Sequence, residues 1–185
     1  MIVARKKDDR IVVGIITADS LVDMTSKDLV LESNLPFWKV KGVKDCYIFC
    51  EDTCFAADLL RYNDYVFKGV TDSESLIANA IPKMKNLLDK NGCFTDKNKW
   101  VSQLLVVVNN KMFTIDRYFC VAEADEYVGL GFKQYIIGAL KETDDLPIED
   151  SIIFATRTLN RMVNNNYFPL VLFDVKTKKK KVVLK

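Results

Sequence analysis

The sequence predicts an α+β fold, a four-layer αββα sandwich in which two stacked, mostly antiparallel sheets are flanked by helices. Three observations carry that expectation. The chain opens on two apolar runs that read as a hairpin within Met1 to Ser20. A second block of strands follows after two helical stretches. Two more helices then lead to a closing strand, which completes the order of two sheets covered by helices on both sides.

In the hairpin, Ile2 to Ala4 and Ile11 to Ile16 are the strands, with Arg5-Lys6-Lys7-Asp8-Asp9-Arg10 as a charged turn between them. It closes on Ala18-Asp19-Ser20. Asp28 to Glu32 and Phe37 to Val40 read as short strands around Ser33-Asn34-Leu35-Pro36, where Pro36 marks the break. Gly42 to Cys50 is rich in β-formers and predicts another strand. Asp52-Thr53 stands in capping position before a helix whose Cys54, Phe55, Leu59 and Leu60 fall at helical spacing and which ends near Asn63. A second helix, capped by Asp72 or Ser73, runs through Leu76, Ile77, Ala80, Met84, Leu87 and Leu88 to Asn91-Gly92, and Pro82 is expected to bend or shorten it.

Trp100 to Val108 is apolar enough for a central strand, Asn109-Asn110 makes a tight turn, and Met112 to Asp116 with Tyr118 to Ala122 supply the strands that follow. Gly129-Leu130-Gly131 leads into a helix from Phe132 to about Thr143, and Pro147 with Glu149 starts another that reaches about Val163. Tyr167 to Lys176 is the closing strand. The basic run Lys176 to Lys181 reads as a solvated turn before a short strand at Val182 to Leu184.

A chain of 185 residues is long enough for one well-buried domain, residues 1–185, with a basic C-terminal tail over 176–185. At 49% hydrophobic and 28% charged residues the composition is that of a globular protein, and no apolar run approaches the 18 or so residues of a membrane span. Met1 leads straight into a strand with no apolar signal core, so a cytoplasmic protein without membrane contact is expected. A net charge of +2 is too small for a nucleic-acid binder, and the lysine tail offers phosphate contacts without a stacking platform. The five cysteines are odd in number, sit mostly in apolar surroundings and fit buried thiols in a reducing compartment. Cys46, Cys50 and Cys54 would share a face of a helix, but Asp45 to Phe49 reads as strand and the chain has no histidine, so no metal and no cofactor are expected. The lack of histidine also removes Ser-His-Asp and Cys-His chemistry. Asp144-Asp145 and Glu149-Asp150 lie at loop-to-helix junctions, where capping accounts for them.

Met1-Ile2-Val3-Ala4, the basic turn, Arg10-Ile11-Val12-Val13-Gly14 and Ala18-Asp19-Ser20 resemble the opening of proteasome β-subunits and of the related bacterial proteasome-type peptidase. The resemblance extends over most of the chain and implies the N-terminal-nucleophile hydrolase fold. In that family the mature chain starts with a threonine whose hydroxyl attacks the peptide carbonyl while its own amine serves as base. Here Met1 and Ile2 stand at the head of the hairpin, and neither carries a nucleophile.

The resemblance implies a pocket formed by Met1, Asp19, Phe37, Lys39, Gly129, Leu130 and Gly131. Asp19 matches the family's acid, which orients the catalytic lysine and the terminal amine; its other reading is a carboxylate bonded to its own turn. The position of the family's lysine falls near Phe37, and Lys39 lies two residues on, on the same strand face. Gly129-Leu130-Gly131 resembles a Gly-Ser-Gly in which the serine bonds the amine, a bond that Leu130 cannot make, although the glycines keep their use in letting the backbone run close to the hairpin. The glycine pair that would donate to an oxyanion is replaced by Phe49-Cys50-Glu51-Asp52-Thr53-Cys54-Phe55. The chain thus reads as a non-catalytic proteasome-like subunit, a pseudoenzyme with a structural or assembly role. The alternative is an active peptidase or amidohydrolase whose mature N-terminus is not Met1. Family members pack into rings, and the apolar residues Phe132, Tyr135, Ile136, Ile137 and Leu140 with Ile152, Ile153 and Phe154 point to a homo-oligomer.

Overall fold

The computed structural model describes residues 1–16, 37–50, 55–94, 102–163 and 169–184. The chain divides into two compact units, one formed by the N-terminal segment to Leu35 with the chain from Glu126 onward, the other by Pro36–Asp125. In the first unit, β1 (Ile2–Lys7) and β2 (Arg10–Ile16) form the expected hairpin, paired antiparallel from Ile2↔Ile15 to Lys7↔Arg10. The turn is only Asp8-Asp9, with Asp8 left-handed at φ 55°. Charge does not end the strand at Arg5, because that side chain is 3% exposed and its guanidinium has partners inside the unit.

The second unit holds β3 (Phe37–Lys39), β4 (Tyr47–Cys50), α1 (Phe55–Tyr62), α2 (Ser73–Ser75), α3 (Ile81–Lys90), β5 (Leu104–Val108), β6 (Lys111–Ile115) and β7 (Val121–Ala124). Its strands are hydrogen-bonded in chain order, every neighbour antiparallel. The strand expected from Gly42 starts at Tyr47, since Gly42 (φ 79°) and Asp45 (φ 47°) are both left-handed and the loop closes through Val40 N–H to Cys46 O at 2.9 Å. Asn109 and Asn110, at φ 49° and 58°, make the expected tight turn. The strand expected from Tyr118 begins instead at Val121, because Asp116 Oδ1 accepts the N–H groups of Tyr118 and Cys120, both at 2.8 Å, and folds that stretch into a turn.

Asp72 starts the long helix with a reciprocal cap: its side chain accepts from Ser75 N–H at 2.8 Å while Ser75 Oγ accepts from Asp72 N–H at 3.1 Å. Pro82 neither ends nor splits the helical run. It lies in the first turn of α3, directly after a π-helical turn at Leu76–Ala80. Leu76, Ala80, Met84 and Leu88 form the buried face and pack with Ala56, Ala57 and Leu60 over Ile48, Val106 and Phe113 of the sheet. The opposite sheet face, with Phe49, Leu105, Val107 and Met112, is buried as well.

Returning to the first unit, β8 (Tyr127–Leu130), α4 (Lys133–Lys141), α5 (Ile148–Val163), β9 (Leu170–Asp174) and β10 (Lys180–Val183) complete an antiparallel sheet of order β10-β9-β2-β1-β8. Ile136, Leu140, Ile152, Ala155 and Leu159 cover Val3, Val12, Leu170 and Leu172. The alternate positions Ile2, Ala4, Ile11, Val13 and Val171 are also fully buried. Two antiparallel sheets with flanking helices give the α+β class that the element order predicts. The strand calls at Asp28 to Glu32, the break at Pro36 and the cap at Asp52-Thr53 lie outside the described residues. No described helix is long and apolar enough to cross a membrane.

At the turn end of the hairpin, Arg10 Nη2 donates to Asp174 Oδ2 at 2.7 Å and to Glu149 Oε1 at 2.6 Å. Burial alone would raise the Asp174 carboxyl, but N–H donation from Thr177, the Arg10 guanidinium and Lys176 N–H outweigh it and hold the group below its ordinary 3.8. A depressed carboxyl contributes stability that is complete above its unfolded pKa and lost as pH falls through the folded one. Asp174→Asn is therefore expected to cost about 1–3 kcal/mol at neutral pH. The gap to the parent chain, measured by urea unfolding, should narrow below about pH 4.

Two glycines give effects of opposite sign. A Cβ at Gly14 would lie 2.6 Å from Ile152 Cγ2, a branch atom with no room to swing, so Gly14→Ala should destabilise by about 1–3 kcal/mol. At Gly138, in an exposed position of α4 with no atom within 4 Å, alanine should stabilise by about 0.4–1 kcal/mol, read as a raised denaturation midpoint.

Candidate functional site: the head of the hairpin

The edge strand β8 lies antiparallel to β1, with Ile2 opposite Leu130 and Val3 opposite Gly129. This pairing places Gly129, Leu130 and Gly131 beside the first residues of the chain. The sheet, rather than a loop, therefore brings them together. The sequence reading took Gly129-Leu130-Gly131 as a lead into a helix and missed that its first two residues belong to a strand. The available signal was the β-forming Tyr127-Val128 directly after the acidic turn Asp125-Glu126.

The two glycines also have packing and turning roles. Gly129 is required by α4: a Cβ there would stand 3.0 Å from Ile136 Cβ and 3.2 Å from the Lys133 backbone. Gly131, at φ 94°, turns the chain out of β8, and Lys133 N–H bonds back to Gly131 O at 2.7 Å. Leu130 is 3% exposed and Ile2 is fully buried, while Met1 is half-buried and packs against the cluster of Val3, Ile136 and Leu140. The side chains at this end of β1 and β8 are thus Met1, Ile2 and Leu130, which offer apolar contact and no hydroxyl, thiol or ionisable group.

Of the other candidate pocket residues, two belong to the second unit and one is not described. Asp19 lies outside the described residues. Phe37 pairs with Phe49 and Lys39 with Tyr47 in β3, a strand of the second unit, and Lys39 is exposed. Residues 51–54, expected in place of an oxyanion donor, are also outside the described residues.

The other candidate groups resolve into structural roles. Cys46, Cys50 and Cys93 are buried; burial pushes the Cys46 thiol up to about 12, and Cys50 Sγ lies 3.1 Å from Ser102 Oγ. Cys120 differs from the apolar setting expected, being exposed. Among the described residues no group of three or more His, Cys, Asp or Glu side chains is placed to hold a metal. Asp144 and Glu149, expected as helix caps, serve as ion-pair partners of Arg5 and Arg10. Sequence reasoning also missed Arg5, whose Nη1 donates to Thr143 O at 3.0 Å and whose Nη2 donates to Asp144 O at 2.9 Å and Asp144 Oδ1 at 3.1 Å. Tyr127 stacks near the guanidinium, its ring centre 5.9 Å away, and its hydroxyl donates to Asp144; burial and that carboxylate raise the phenol above its ordinary range.

No family model matches the sequence. No curated protein matches it either. Solved structures do match. BPH from Thiobacillus denitrificans superposes with a TM-score of 0.66 at 16% identity, covering 94% of this chain and 96% of that one. Eukaryotic HslV from Trypanosoma brucei gives 0.59 at 16% identity over 94% and 97% of the two chains. Anbu, an ancestral beta-subunit from Yersinia bercovieri, gives 0.58 at 12% identity over 100% and 87%. The chain thus has the α+β sandwich fold of proteasome-like, N-terminal-nucleophile hydrolase structures, the fold that the opening residues implied.

Because the Gly129 Cβ would press on the backbone of α4 as well as on Ile136, Gly129→Ala should part β8 from that helix and cost about 1–3 kcal/mol. Urea denaturation would register it as a lower midpoint, and faster amide exchange should be confined to β8 and the start of α4.

Proposed function

We propose that this chain is a non-catalytic proteasome-like subunit, a single domain over residues 1–185 with a structural or assembly role. The observation that carries the reading is the pairing of Ile2 with Leu130, which fills the head of β1 with apolar side chains where the related chemistry needs a nucleophile and a polar partner. Met1, Leu130 and the two flanking glycines mark the vestigial pocket, to which Asp19, Phe37 and Lys39 are assigned by resemblance. Assembly does not need the nucleophile. Phe132, Tyr135 and Phe154, at 43%, 51% and 43% exposure on or beside α4 and α5, are the aromatic residues a homo-oligomeric contact would cover, and a ring is the expected arrangement. One structural neighbour is itself described as a beta-subunit, and another was solved in complex with epoxomicin.

The purified protein is expected to hydrolyse no peptide or amide substrate above background and to show no change in intact mass or thermal midpoint with epoxomicin. Turnover that disappears when a native N-terminal threonine, serine or cysteine is removed would establish the active alternative, and N-terminal sequencing of native protein would locate that residue. Placing threonine first, by Ile2→Thr with the initiator removed, should leave the protein inactive, because nucleophile, base and oxyanion donors act as a unit. Light scattering at micromolar concentration is expected to give a multiple of 21.2 kDa; a mass of one chain without concentration dependence would overturn the assembly role.

A further inference from the structure

At the turn end of the hairpin lies a cavity of about 360 Å³ over Val12 and Leu172, within the size range of small-molecule sites. It is lined by Arg10, Glu149 and Asp174 together with Lys179, Lys180 and Lys181. The carboxylates are already engaged. Arg10 bridges Glu149 and Asp174, and Asp174 Oδ1 also accepts the N–H groups of Lys176 and Thr177, both at 2.9 Å. The same turn is pinned by Asp174 N–H to Lys179 O at 2.9 Å and by Lys178 N–H to Asp174 O at 2.8 Å, so the lysines leave a fixed backbone. Lys176 is paired with Asp9, whereas among the described residues neither Lys179 nor Lys181 forms an ion pair. Lys181 belongs to β10 and Lys179 immediately precedes it, and both line the cavity.

The donor set selects the ligand. Arg10 is held between two carboxylates, so the cavity has no open guanidinium fork for a bidentate grip on a carboxylate. What it presents are ammonium groups, compact point charges of the kind that hold phosphate. We propose that this cavity binds a small phosphate-bearing polyanion through Lys179 and Lys181, with the Arg10, Glu149 and Asp174 cluster as its rigid wall. The site is separate from the head of the hairpin and does not depend on whether the chain is catalytic.

The test is calorimetric titration of the full-length protein with tripolyphosphate at about 0.15 M salt, where long-range charge effects are screened beyond about 8 Å. Saturable one-site binding is expected, weakened about tenfold or more by K179A/K181A and unchanged by K68A/K90A, which removes the same charge from exposed positions elsewhere. Citrate should bind more weakly than tripolyphosphate. Absence of saturable heat, equal loss in both double variants, or full affinity in K179A/K181A would overturn the site. Equal affinity for citrate would overturn its phosphate class.

Discussion

The first unit is built around a buried cation. Arg5, 3% exposed in the middle of β1, reaches the end of α4 and there meets two main-chain carbonyls and a carboxylate. Those carbonyls, at Thr143 and Asp144, lie just past the C-terminal end of α4, where the helix dipole is negative and favours a cation. Lys7, one turn of the strand away, adds a bond to Asp144 O at 2.8 Å. Tyr127 closes the set from β8. Hairpin, edge strand and the α4–α5 connection are thereby fixed to one charged group. Such a group tolerates little change, because the guanidinium is buried and its bond to Thr143 O is buried with it, although the Asp144 carboxylate is exposed. Arg5 Nε is the only buried side-chain polar atom without a partner among the described residues, so the network accepts one unmade bond to keep the others.

The two units follow a common plan. Each has a five-stranded antiparallel sheet whose one face packs on helices and whose other face is buried too. Such strands read as continuous apolar runs, Leu104–Val108 and Leu170–Phe173 among them, instead of alternating with polar residues. The same pattern explains why cysteine is used as a small apolar residue at Cys46 and Cys50, both buried, with burial pushing the Cys46 thiol up to about 12.

What was legible in the sequence followed from local rules. The hairpin, the Asn109-Asn110 turn and α5 were plain because apolar spacing and turn chemistry agree there. Boundaries failed where side chains capture the backbone, as Asp116 does, or where left-handed residues such as Gly42 and Asp45 interrupt β-forming stretches. The π-helical turn before Pro82 has no simple sequence mark. Of the candidate site, Gly129 and Leu130 pair with the first residues of the hairpin, and Gly129 also packs against α4, a contact that only packing reveals. Arg5 was hidden for the opposite reason: charge within a turn-like run argues for solvent, and only the distant Thr143 and Asp144 make burial tolerable.

The strand order has a consequence for biosynthesis. β2 pairs with β1 on one side and with β9 on the other, and Val12 faces Asp174 across 162 positions of the chain (174 − 12). On a ribosome adding about 5–20 residues per second, the hairpin emerges before β9 and waits on the order of 8–30 s for the strand that covers its open edge. Meanwhile the second unit, contiguous from Pro36 to Asp125, has every strand partner it needs before β9 is made. The nascent chain therefore carries an unpaired apolar edge on β2 until β9 is made, an edge of the kind that invites pairing with another chain.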